Sequence, residues 1–512
     1  MQTNVLEYLE ERSLIRFPDH RFAEMGTRHC TFRELHDLAI RIASQLCRLS
    51  SRTTSPVCVY LPKGIETIIA DMGILYSRNC YSNLDVKSPA SRTAAILENL
   101  QPIAIITSAE YRDLLLTMGA DAAGIILISE ADALTEQSPA TEELSRRRAM
   151  ALDVDPVCII NTSGSTGIPK SVVMNHRNII DFIDWTLDEF SFTEQDRFGS
   201  LSPLYFDIYT LEVYVAMATG ACISLIPESF AAFPAKLMDY LAERRITFLF
   251  WVPSIMVTIA NLGLLGKYDL SQLRRIFFAG EVFPTRQFNQ WRAALTQAEF
   301  VNLYGPIEIT VDCTFYRIQR EFSDDEPLPI GFPCRNTEIL ILTEDNRPAE
   351  VGSQGELCVK GSSLAMGYWN NPERTSAAFV QNPLQKCYPE RIYRTGDVAS
   401  LNQSGEIMFH GRRDYQIKHL GFRIELGDIE NAVVSTGLVD AACVLYHAAK
   451  KEIHLFYESA SPIPAVRFRE QLSALLPKYM LPTAFTHRVA FPLNPNGKID
   501  RLRLQTEMLE HA

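Results

Sequence analysis

Hydrophobic and polar positions along the first 150 or so residues predict helices and strands in alternation. Residues 32–43 place apolar side chains at helical spacing, and Thr31 stands where it would cap that helix. Short apolar runs rich in β-branched residues at 57–62, 103–107 and 124–129 predict buried strands. This alternation is typical of α/β layers around a largely parallel sheet. No G-x-G-x-x-G follows these strands, so a dinucleotide-binding fold has no support.

The next apolar run, at 157–160, breaks abruptly into a loop of small polar residues. Residues 161–167 carry four hydroxyl side chains and two glycines, and Lys170 follows them. Hydroxyls, exposed backbone N–H groups and glycines that allow close approach are features of a phosphate cradle. Loops of this composition also join strands without binding anything. A Walker A loop is disfavoured because Pro169, which has no N–H, stands where the second glycine should be.

Beyond this loop the pattern predicts further strands and an isolated acid. Asp207 lies inside an apolar stretch, where a lone carboxylate is costly to bury. It either caps the helix that follows or receives a cationic ligand. Strands are predicted at 246–256, at 276–280 and from Val301 to a sharp Gly-Pro turn that carries Glu308.

The last third of the chain has a different residue pattern. From Pro329 to Val398, short strands with frequent Gly and Pro predict a β-rich subdomain. Roughly 100 residues remain after GRRD at 411–414, enough for a small α+β domain with a helix beginning near Leu426. The predicted fold class is therefore α/β. It has a large N-terminal lobe of mixed and parallel sheets with helices and a β-rich subdomain, and a small α+β C-terminal lobe.

Composition narrows the function classes. A net charge of −12, from 49 Lys and Arg against 61 Asp and Glu, argues against general binding to nucleic acid or to anionic membranes. Eleven scattered cysteines without a C-x-x-C pair are typical of a reduced cytoplasmic protein rather than a disulfide framework or zinc site. The N-terminus has no basic and apolar segments of a secretory signal, and no apolar run is long enough to span a membrane. We expect a cytoplasmic location.

Seven short motifs then occur in one order along the chain. They are TSGSTGIPK at 162–170, FD at 206–207, NLYGPIE at 302–308, GELCVKGSSLAMGYWNNPERT at 355–375, YRTGD at 393–397, GRRDYQIKHLGFRIELGDIE at 411–430 and NPNGK at 494–498. With this set the chain resembles the adenylate-forming superfamily of acyl- and aryl-CoA synthetases, luciferases and nonribosomal peptide synthetase (NRPS) adenylation domains. Within it, the chain resembles stand-alone amino-acid adenylation enzymes of the prolyl and D-alanyl carrier-protein ligase type.

The resemblance implies a two-step reaction. ATP and an amino-acid carboxylate first give an aminoacyl-adenylate and pyrophosphate, and the acyl group then passes to the phosphopantetheine thiol of a discrete acyl or peptidyl carrier protein. A carboxylate that attacks the α-phosphate brings two anions together, so the site must supply positive charge and fixed dipoles. ATP and Mg²⁺ are the small molecules that this chemistry requires.

The motifs also assign residues to ATP and the metal. The residues expected at the β- and γ-phosphates are Ser163, Gly164, Ser165, Thr166, Gly167 and Lys170. Glu308 would ligate Mg²⁺, whose preference for oxygen ligands suits carboxylate and phosphate. Asp397 would accept both ribose hydroxyls, and Arg412 would reach the same ribose.

Adenine would lie against Tyr304, with Asn302 and the backbone of Gly280 near its edge. Ile307 stands where the family normally has threonine, so a hydroxyl near the α-phosphate is lost. Ser171 replaces the usual glycine after the loop lysine, a change of little expected cost.

The resemblance further implies two lobes that move. Residues 1–412 would form the adenylation core that binds ATP and the amino acid, and residues 414–512 would form a mobile lid with its hinge near Asp414. Lys498, on the lid, would be the catalytic residue that bridges the substrate carboxylate and the α-phosphate. After rotation, Lys418 and Gly421 would line the path of the thiol. Lid motions of this type commonly gate turnover.

The expected substrate is an amino acid because Asp207 supplies an anion for an α-ammonium group. The pocket positions carried over by motif are Asp207, Ile208, Leu211, Phe250, Phe277, Ala279, Leu303, Val311, Asp312 and Lys498. This lining is mostly apolar with two aromatic rings, so a small side chain is expected, with L-proline first and alanine or serine next. Prolyl ligases usually have a small neutral residue where Asp312 stands. That acid could serve a hydroxyl or amine side chain, or bond a backbone amide without affecting substrate choice.

Two alternatives remain from the sequence. An acyl- or aryl-CoA ligase would share the fold and make a CoA thioester. A catalytically impaired nucleotide-binding relic is conceivable because of Ile307.

Overall fold

The computed structural model describes residues 2–128, 139–162, 169–413, 416–492 and 499–510. Its strands are, in chain order, β1 (Arg21–Met25), β2 (Arg28–Thr31), β3 (Pro56–Tyr60), β4 (Cys80–Asn83), β5 (Ala104–Thr107), β6 (Ile125–Leu127), β7 (Pro156–Thr162), β8 (Lys170–Asn175), β9 (Arg197–Ser200), β10 (Cys222–Leu225), β11 (Phe248–Trp251), β12 (Arg275–Phe278), β13 (Glu299–Tyr304), β14 (Thr314–Arg317), β15 (Phe332–Pro333), β16 (Thr337–Leu342), β17 (Gly355–Gly361), β18 (Gly367–Tyr368), β19 (Phe379–Gln381), β20 (Arg391–Leu401), β21 (Ile407–Arg412), β22 (Gln416–His419), β23 (Phe422–Glu425), β24 (Ala441–His447), β25 (Glu452–Glu458) and β26 (Ala484–Arg488).

The α-helices are α1 (Leu14–Arg16), α2 (Phe32–Leu49), α3 (Ile65–Tyr76), α4 (Ala90–Leu100), α5 (Ala109–Thr117), α6 (Thr141–Ala149), α7 (His176–Glu189), α8 (Ile208–Thr219), α9 (Pro234–Glu243), α10 (Pro253–Asn261), α11 (Thr285–Ala294), α12 (Pro372–Ala378), α13 (Leu426–Ser435), α14 (Ala465–Leu472) and α15 (Arg501–Glu510). Thr31 caps α2 as the sequence predicted, and it forms a reciprocal capping box with Glu34.

Two large sheets carry most of the parallel pairing. One has the strand order β15-β14-β13-β12-β11-β9-β10-β1-β2, and its strands from β13 to β1 pair in parallel. The other has the order β18-β8-β7-β4-β3-β5-β6, with parallel pairs from β7 to β6. Helices follow most of these strands, as crossover connections between parallel strands require. The predicted α/β class with mixed and parallel sheets is confirmed.

The third sheet is antiparallel and corresponds to the β-rich subdomain. Its order is β16-β17-β20-β19, with β21 paired to β20. One register pair in this sheet places Asp397 of β20 directly opposite Arg412 of β21.

The chain divides into two compact units, each described by itself. The first comprises Met1–Asp85, Leu100–Ile160 and Ser171–Arg413, and the second comprises Val86–Asn99, Asn161–Lys170 and Asp414–Ala512. Within the second unit, β24, β25 and β26 form a small mixed sheet whose core includes residues of α13 and α14. The roles of core, hinge and lid remain predictions.

One sequence prediction of a strand was too long. The run at 246–256 is β11 only as far as Trp251, and Pro253 then begins α10. Proline at the first helical position is favourable because its missing N–H is not needed there. In the described part of the chain, no helix combines the length and hydropathy needed to cross a membrane.

All eleven cysteines are free thiols. Nine are buried, Cys47 is half-buried and Cys387 is exposed. Burial raises the pKa of the Cys80 thiol to about 12 and that of Cys358 to about 12.

Candidate active site

Asp207 stands at the N-cap of α8, where the chain leaves an apolar loop. Its backbone carbonyl accepts the first helical hydrogen bond, from Thr210 N–H at 2.9 Å, but its side chain makes no capping bond. The side chain is half-buried, whereas residues 208–218 of the helix are all buried. The simple alternative for this acid, a capping carboxylate, therefore does not describe the structure. The positive end of the helix dipole favours a carboxylate at this position.

The electrostatic neighbourhood of Asp207 includes a buried thiol and a second acid. Burial raises the pKa of Cys158 well above its ordinary value, and the negative charges of Asp71 and Asp207 raise it further. Both acids therefore lie within electrostatic range of the same sulfur.

An apolar strand face holds the predicted pocket residues. Phe250 of β11 pairs in register with Phe277 of β12, and Phe277 pairs with Val301 of β13. Because alternate residues of a strand share a face, Ala279 and Leu303 continue the same face. Residues of the opposite face, such as Trp251 and Phe278, belong to a separate core. The nominated apolar residues share one hydrophobic cluster; they are Ile208, Leu211, Phe250, Phe277, Ala279, Leu303 and Val311.

Asp312 follows a backbone segment in an uncommon conformation. Thr310 and Val311 have φ angles of 60° and 66°, the left-handed region that β-branched residues rarely occupy. The Thr310 hydroxyl donates to the Ser363 carbonyl at 2.8 Å and holds this turn. Gly305 is required beside it, because a Cβ there would lie 2.4 Å from the Cα of Asp312. Asp312 itself is 2% exposed.

The ribose-binding candidates form a connected polar group. The Arg412 guanidinium donates to Asp397 Oδ1 at 2.7 Å and to the Thr395 carbonyl at 3.0 Å. The Tyr304 hydroxyl donates to Asp397 Oδ2. Burial, with the charge of Asp397 beside it, raises the pKa of Tyr304 far above its ordinary value, so the phenol remains a donor. Asp397 is 5% exposed and its charge is matched by that of Arg412.

Glu308 is fully buried in a short helical turn after the Gly-Pro sequence. The Tyr368 hydroxyl donates to its Oε1 at 2.8 Å. Over the described ranges, no group of three or more His, Cys, Asp and Glu side chains is placed to hold a metal ion. Glu308 itself contributes one carboxylate. The side chain of Ile307 beside it packs into the hydrophobic core.

The residues expected near adenine occupy the ends of two neighbouring strands. The Asn302 side chain, on β13, donates to the Pro329 carbonyl at 2.7 Å. Gly280 follows β12 with a φ of 91°, a conformation that favours glycine.

In the second unit, the predicted phosphate lysine is held by an acid. Lys170 Nζ lies 2.6 Å from Glu425 Oε1, and the side-chain amide of Gln416 donates to the same oxygen at 2.6 Å. Lys418 and Gly421 lie in the hairpin of β22 and β23. Its two turn residues, Leu420 and Gly421, have φ angles of 53° and 83°, as a tight I′ turn requires.

Several nominated residues lie outside the described ranges. They are Ser163, Gly164, Ser165, Thr166, Gly167, Asp414 and Lys498. Sequence reasoning missed Tyr368, Thr395 and Glu425 as partners of the site. All three stand inside the quoted motifs, which was the available signal, but their contacts depend on which strands pair.

A family model described as AMP-binding enzyme matches residues 10–369, most of the chain. The chain belongs to the AMP-binding enzyme family. A curated relative of this AMP-binding enzyme, zwittermicin A synthase ZmaJ from Bacillus cereus, is 30% identical over 509 residues, covering 97% of this chain and 94% of ZmaJ. Other relatives at 30–32% identity are longer, and the chain spans 8% to 45% of their lengths. The predicted membership of the adenylate-forming superfamily is confirmed.

Solved structures share the fold of this AMP-binding enzyme. NpsA-ThdA, an artificially fused adenylation–PCP di-domain NRPS from Klebsiella oxytoca, is 23% identical with a TM-score of 0.82, covering 95% of this chain and 94% of the other. The o-succinylbenzoate CoA synthetase MenE from Bacillus subtilis is 20% identical with a TM-score of 0.84, covering 99% and 98%. At these identities the likeness shows the fold alone.

Proposed function

We propose that the chain activates a small α-amino acid as its aminoacyl-adenylate and passes it to the phosphopantetheine thiol of a discrete carrier protein. L-proline is the first candidate, and alanine or serine come next. The observation that carries this proposal is Asp207. It is a half-buried carboxylate at the start of α8, it makes no capping bond, and the residues after it join the apolar strand face. An α-ammonium would bind the carboxylate while a small side chain packs on that face.

The side chain of the substrate is the finer question. Phe250 and Phe277 fill part of the apolar face, which supports a small residue such as proline or alanine. A contact between Asp312 and the substrate would favour serine or a short diamino acid. Pyrophosphate exchange across the amino acids, both enantiomers included, separates these cases.

The test of the proposal is ATP–pyrophosphate exchange with Asp207→Ala and a matched control. Removing one partner of a partly buried charge pair costs about 2–5 kcal/mol, so the KM for the amino acid should rise on the order of 10²-fold or more. Asp121→Ala is the control, because Asp121 is also an N-cap residue and its side chain does cap, accepting from Ala123 N–H at 3.0 Å. Full exchange activity in D207A would refute the ammonium assignment.

For ATP, the polar group around Asp397 supports a ribose site. Arg412 and Tyr304 already hold both oxygens of the carboxylate in place. Remaining lone pairs on Asp397 would accept the ribose hydroxyl hydrogens, since an ionised carboxylate has about four acceptor positions. In the proposal, Lys170 leaves Glu425 and binds the β- and γ-phosphates. The other residues that would bind these phosphates are Ser163, Gly164, Ser165, Thr166 and Gly167.

Glu308 fits the proposed role at Mg²⁺. This ion is usually held by one or two carboxylates together with substrate phosphates and water, so a lone hard oxygen donor suffices. When bound, Mg²⁺ would neutralise phosphate charge. The Tyr368 hydroxyl, bonded to Oε1, keeps the carboxylate oriented.

The second half-reaction in the proposal is transfer of the acyl group to the thiol of a carrier protein. The NpsA-ThdA fusion joins an adenylation domain to a PCP, which supports a carrier protein as acceptor. Lys498 would act in adenylation, and rotation near Asp414 would bring Lys418 and Gly421 to the thiol path. Loading of a holo-carrier after adenylation, followed by mass spectrometry, tests this step.

A CoA ligase is the second candidate, because MenE, a CoA synthetase by name, shares the fold. Formation of an acyl-CoA from a panel of acids, with no loading of holo-carrier, would favour it. Absence of pyrophosphate exchange with every acid would instead favour the nucleotide-binding relic.

A further inference from the structure

Asp71, a fully buried acid near the segment around Asp207, has no role in the proposed chemistry. Asp71, on α3, has its Oδ2 atom 2.7 Å from the Tyr209 hydroxyl and 2.9 Å from the Asn83 side-chain amide, and both groups donate to it. The same Asn83 amide donates to the backbone carbonyl of Leu204 at 3.1 Å. We call Asp71, Asn83 and Tyr209 the Asp71 clamp.

The Asp71 clamp includes hydrogen bonds to the chain on both sides of Asp207 in the sequence. Leu204 precedes that residue by three positions in the loop, and Tyr209 follows it by two positions in the first turn of α8. The other two members lie on separate elements, Asp71 on α3 and Asn83 at the end of β4. Two stretches of the chain more than 100 positions apart, 71–83 and 204–209, are therefore joined through one carboxyl oxygen and one amide.

The Asp71 clamp lies among buried side chains, where burying polar groups costs free energy. The Tyr81 and Tyr209 rings lie 6.5 Å apart, and Tyr81, Tyr214 and Cys158 are all buried nearby. Burying an acid and an amide here costs more than burying apolar groups of the same shape. Apolar contacts are non-directional, however, whereas hydrogen bonds fix both distance and angle. A polar clamp suits a segment whose position must be exact to a fraction of an ångström.

The protonation state of Asp71 also suits this position. Burial raises its pKa to about 8, in spite of the opposing hydrogen bonds from Asn83 and Tyr209. At neutral pH the carboxyl is therefore mostly protonated. It can brace the segment without placing a second negative charge close to Asp207, where it would compete for a cationic group.

We propose that the Asp71 clamp is a positioning device that fixes Asp207 for binding the substrate ammonium. The inference rests on the proposed role of Asp207 and extends it to three residues that do not touch the substrate. Their loss should weaken amino-acid binding selectively and leave ATP binding intact.

The experiment compares Tyr209→Phe with a matched control, Tyr8→Phe. Tyr8 is also fully buried, and its hydroxyl donates to an aspartate, Asp184 Oδ1, at the same 2.7 Å. Each variant loses one tyrosine–aspartate hydrogen bond, buried for Tyr209 and part-buried for Tyr8. In pyrophosphate exchange, Y209F should raise the KM for the amino acid about tenfold, with the KM for ATP changed less than twofold. Y8F should change neither KM, even where it lowers the melting temperature equally.

Variants of the acid supply a rescue test. Asp71→Asn keeps an oxygen acceptor for Tyr209 and Asn83 and should retain a near wild-type KM for the amino acid. Asp71→Leu removes the acceptor and should behave like Y209F or fail to fold. The clamp is overturned if Y209F leaves the amino-acid KM unchanged, or if it raises the KM values for ATP and the amino acid equally.

A second measurement separates the clamp from the proposed function. Hydrogen–deuterium exchange of the backbone amides at 204–210 should be faster in Y209F than in Y8F. If the wild type shows no amino-acid-dependent exchange of pyrophosphate, the proposed function is refuted. Hydrogen–deuterium exchange in the two variants would still show whether the Asp71 clamp holds residues 204–210 in position. Equal protection of this segment in both variants would overturn it.

Discussion

Asp397 and Asp207 are two carboxylates nominated for the same reaction, and their surroundings differ in a way that matches two kinds of ligand. Asp397 is 5% exposed, lies opposite Arg412 in a strand pair and accepts from Tyr304. Asp207 is half-buried at a helix N-terminus within an apolar segment. The first carboxylate has its charge neutralised inside the protein, while the second is steadied by the partial charge of a helix end.

The difference teaches what each acid can recognise. A carboxylate already paired with a guanidinium gains little from a second cation but can still accept hydrogen bonds from neutral hydroxyls. A carboxylate at a helix N-terminus is a complementary partner for an ammonium group. The ribose role of Asp397 and the ammonium role of Asp207 remain predictions, and variants of the site test them.

The largest expected effect that tests this comparison comes from Asp397→Asn. Hydrogen bonds to a charged acceptor contribute about 1.5–3 kcal/mol, so the KM for ATP should rise about 10- to 100-fold while the KM for the amino acid changes little. Steady-state pyrophosphate exchange with each substrate varied in turn measures both values. A larger rise in the amino-acid KM would reverse the assignment of the two acids.

Arg412→Gln should have a smaller effect of the same kind. The variant removes the guanidinium that pairs with Asp397, and we expect the KM for ATP to rise about tenfold. Lys360→Gln, which removes a cation from the same antiparallel sheet away from Asp397, is the control. Identical ATP kinetics in R412Q and wild type would show that charge compensation is unimportant here.

The smallest expected effect is on stability and comes from the protonation of Asp71. Its pKa rises from an ordinary 3.8 to about 8 on folding, so the folded chain holds a proton that the unfolded chain releases at lower pH. The contribution of Asp71 to stability is therefore lost progressively as the pH rises from about 4 to about 8. Asp71→Asn removes this titration.

Urea unfolding at about pH 5.5, 7 and 8.5 measures this difference. The free energy of unfolding of D71N minus that of wild type should increase at each step upward in pH, because only the wild type loses stability as Asp71 ionises. His176, whose pKa burial lowers to about 3, titrates in both proteins and cancels in the comparison. A difference that stays constant with pH would show that Asp71 does not change its protonation on folding.

Local pattern predicted much of the fold. The capped start of α2 follows from helical periodicity, and the buried strands β3, β5 and β6 follow from short continuous apolar runs. α7 begins at His176 because Asn175 and Asn178 form a capping box there. The break at Pro253 was also readable from the sequence as a helix start.

The candidate site was likewise predictable from the sequence only in part. Motifs nominated Asp397 and Arg412, and strand register then placed them opposite each other. No local rule could have found the Asp71 clamp, since Asp71 sits in a helix of apolar residues and its partner Tyr209 lies 138 positions away. Burial of an acid in such a run is visible only once the helices and sheets have packed.

The distribution of thiols gives the protein a built-in attachment point. A thiolate is the reactive form of cysteine, and burial both shields a sulfur and suppresses its ionisation. Nine of the eleven cysteines are buried, and Cys387, in the segment between β19 and β20, is the exposed one. A maleimide dye used briefly near neutral pH should therefore attach at this position in the native protein. Optical measurements can then be made on the wild-type protein without first replacing the ten other cysteines.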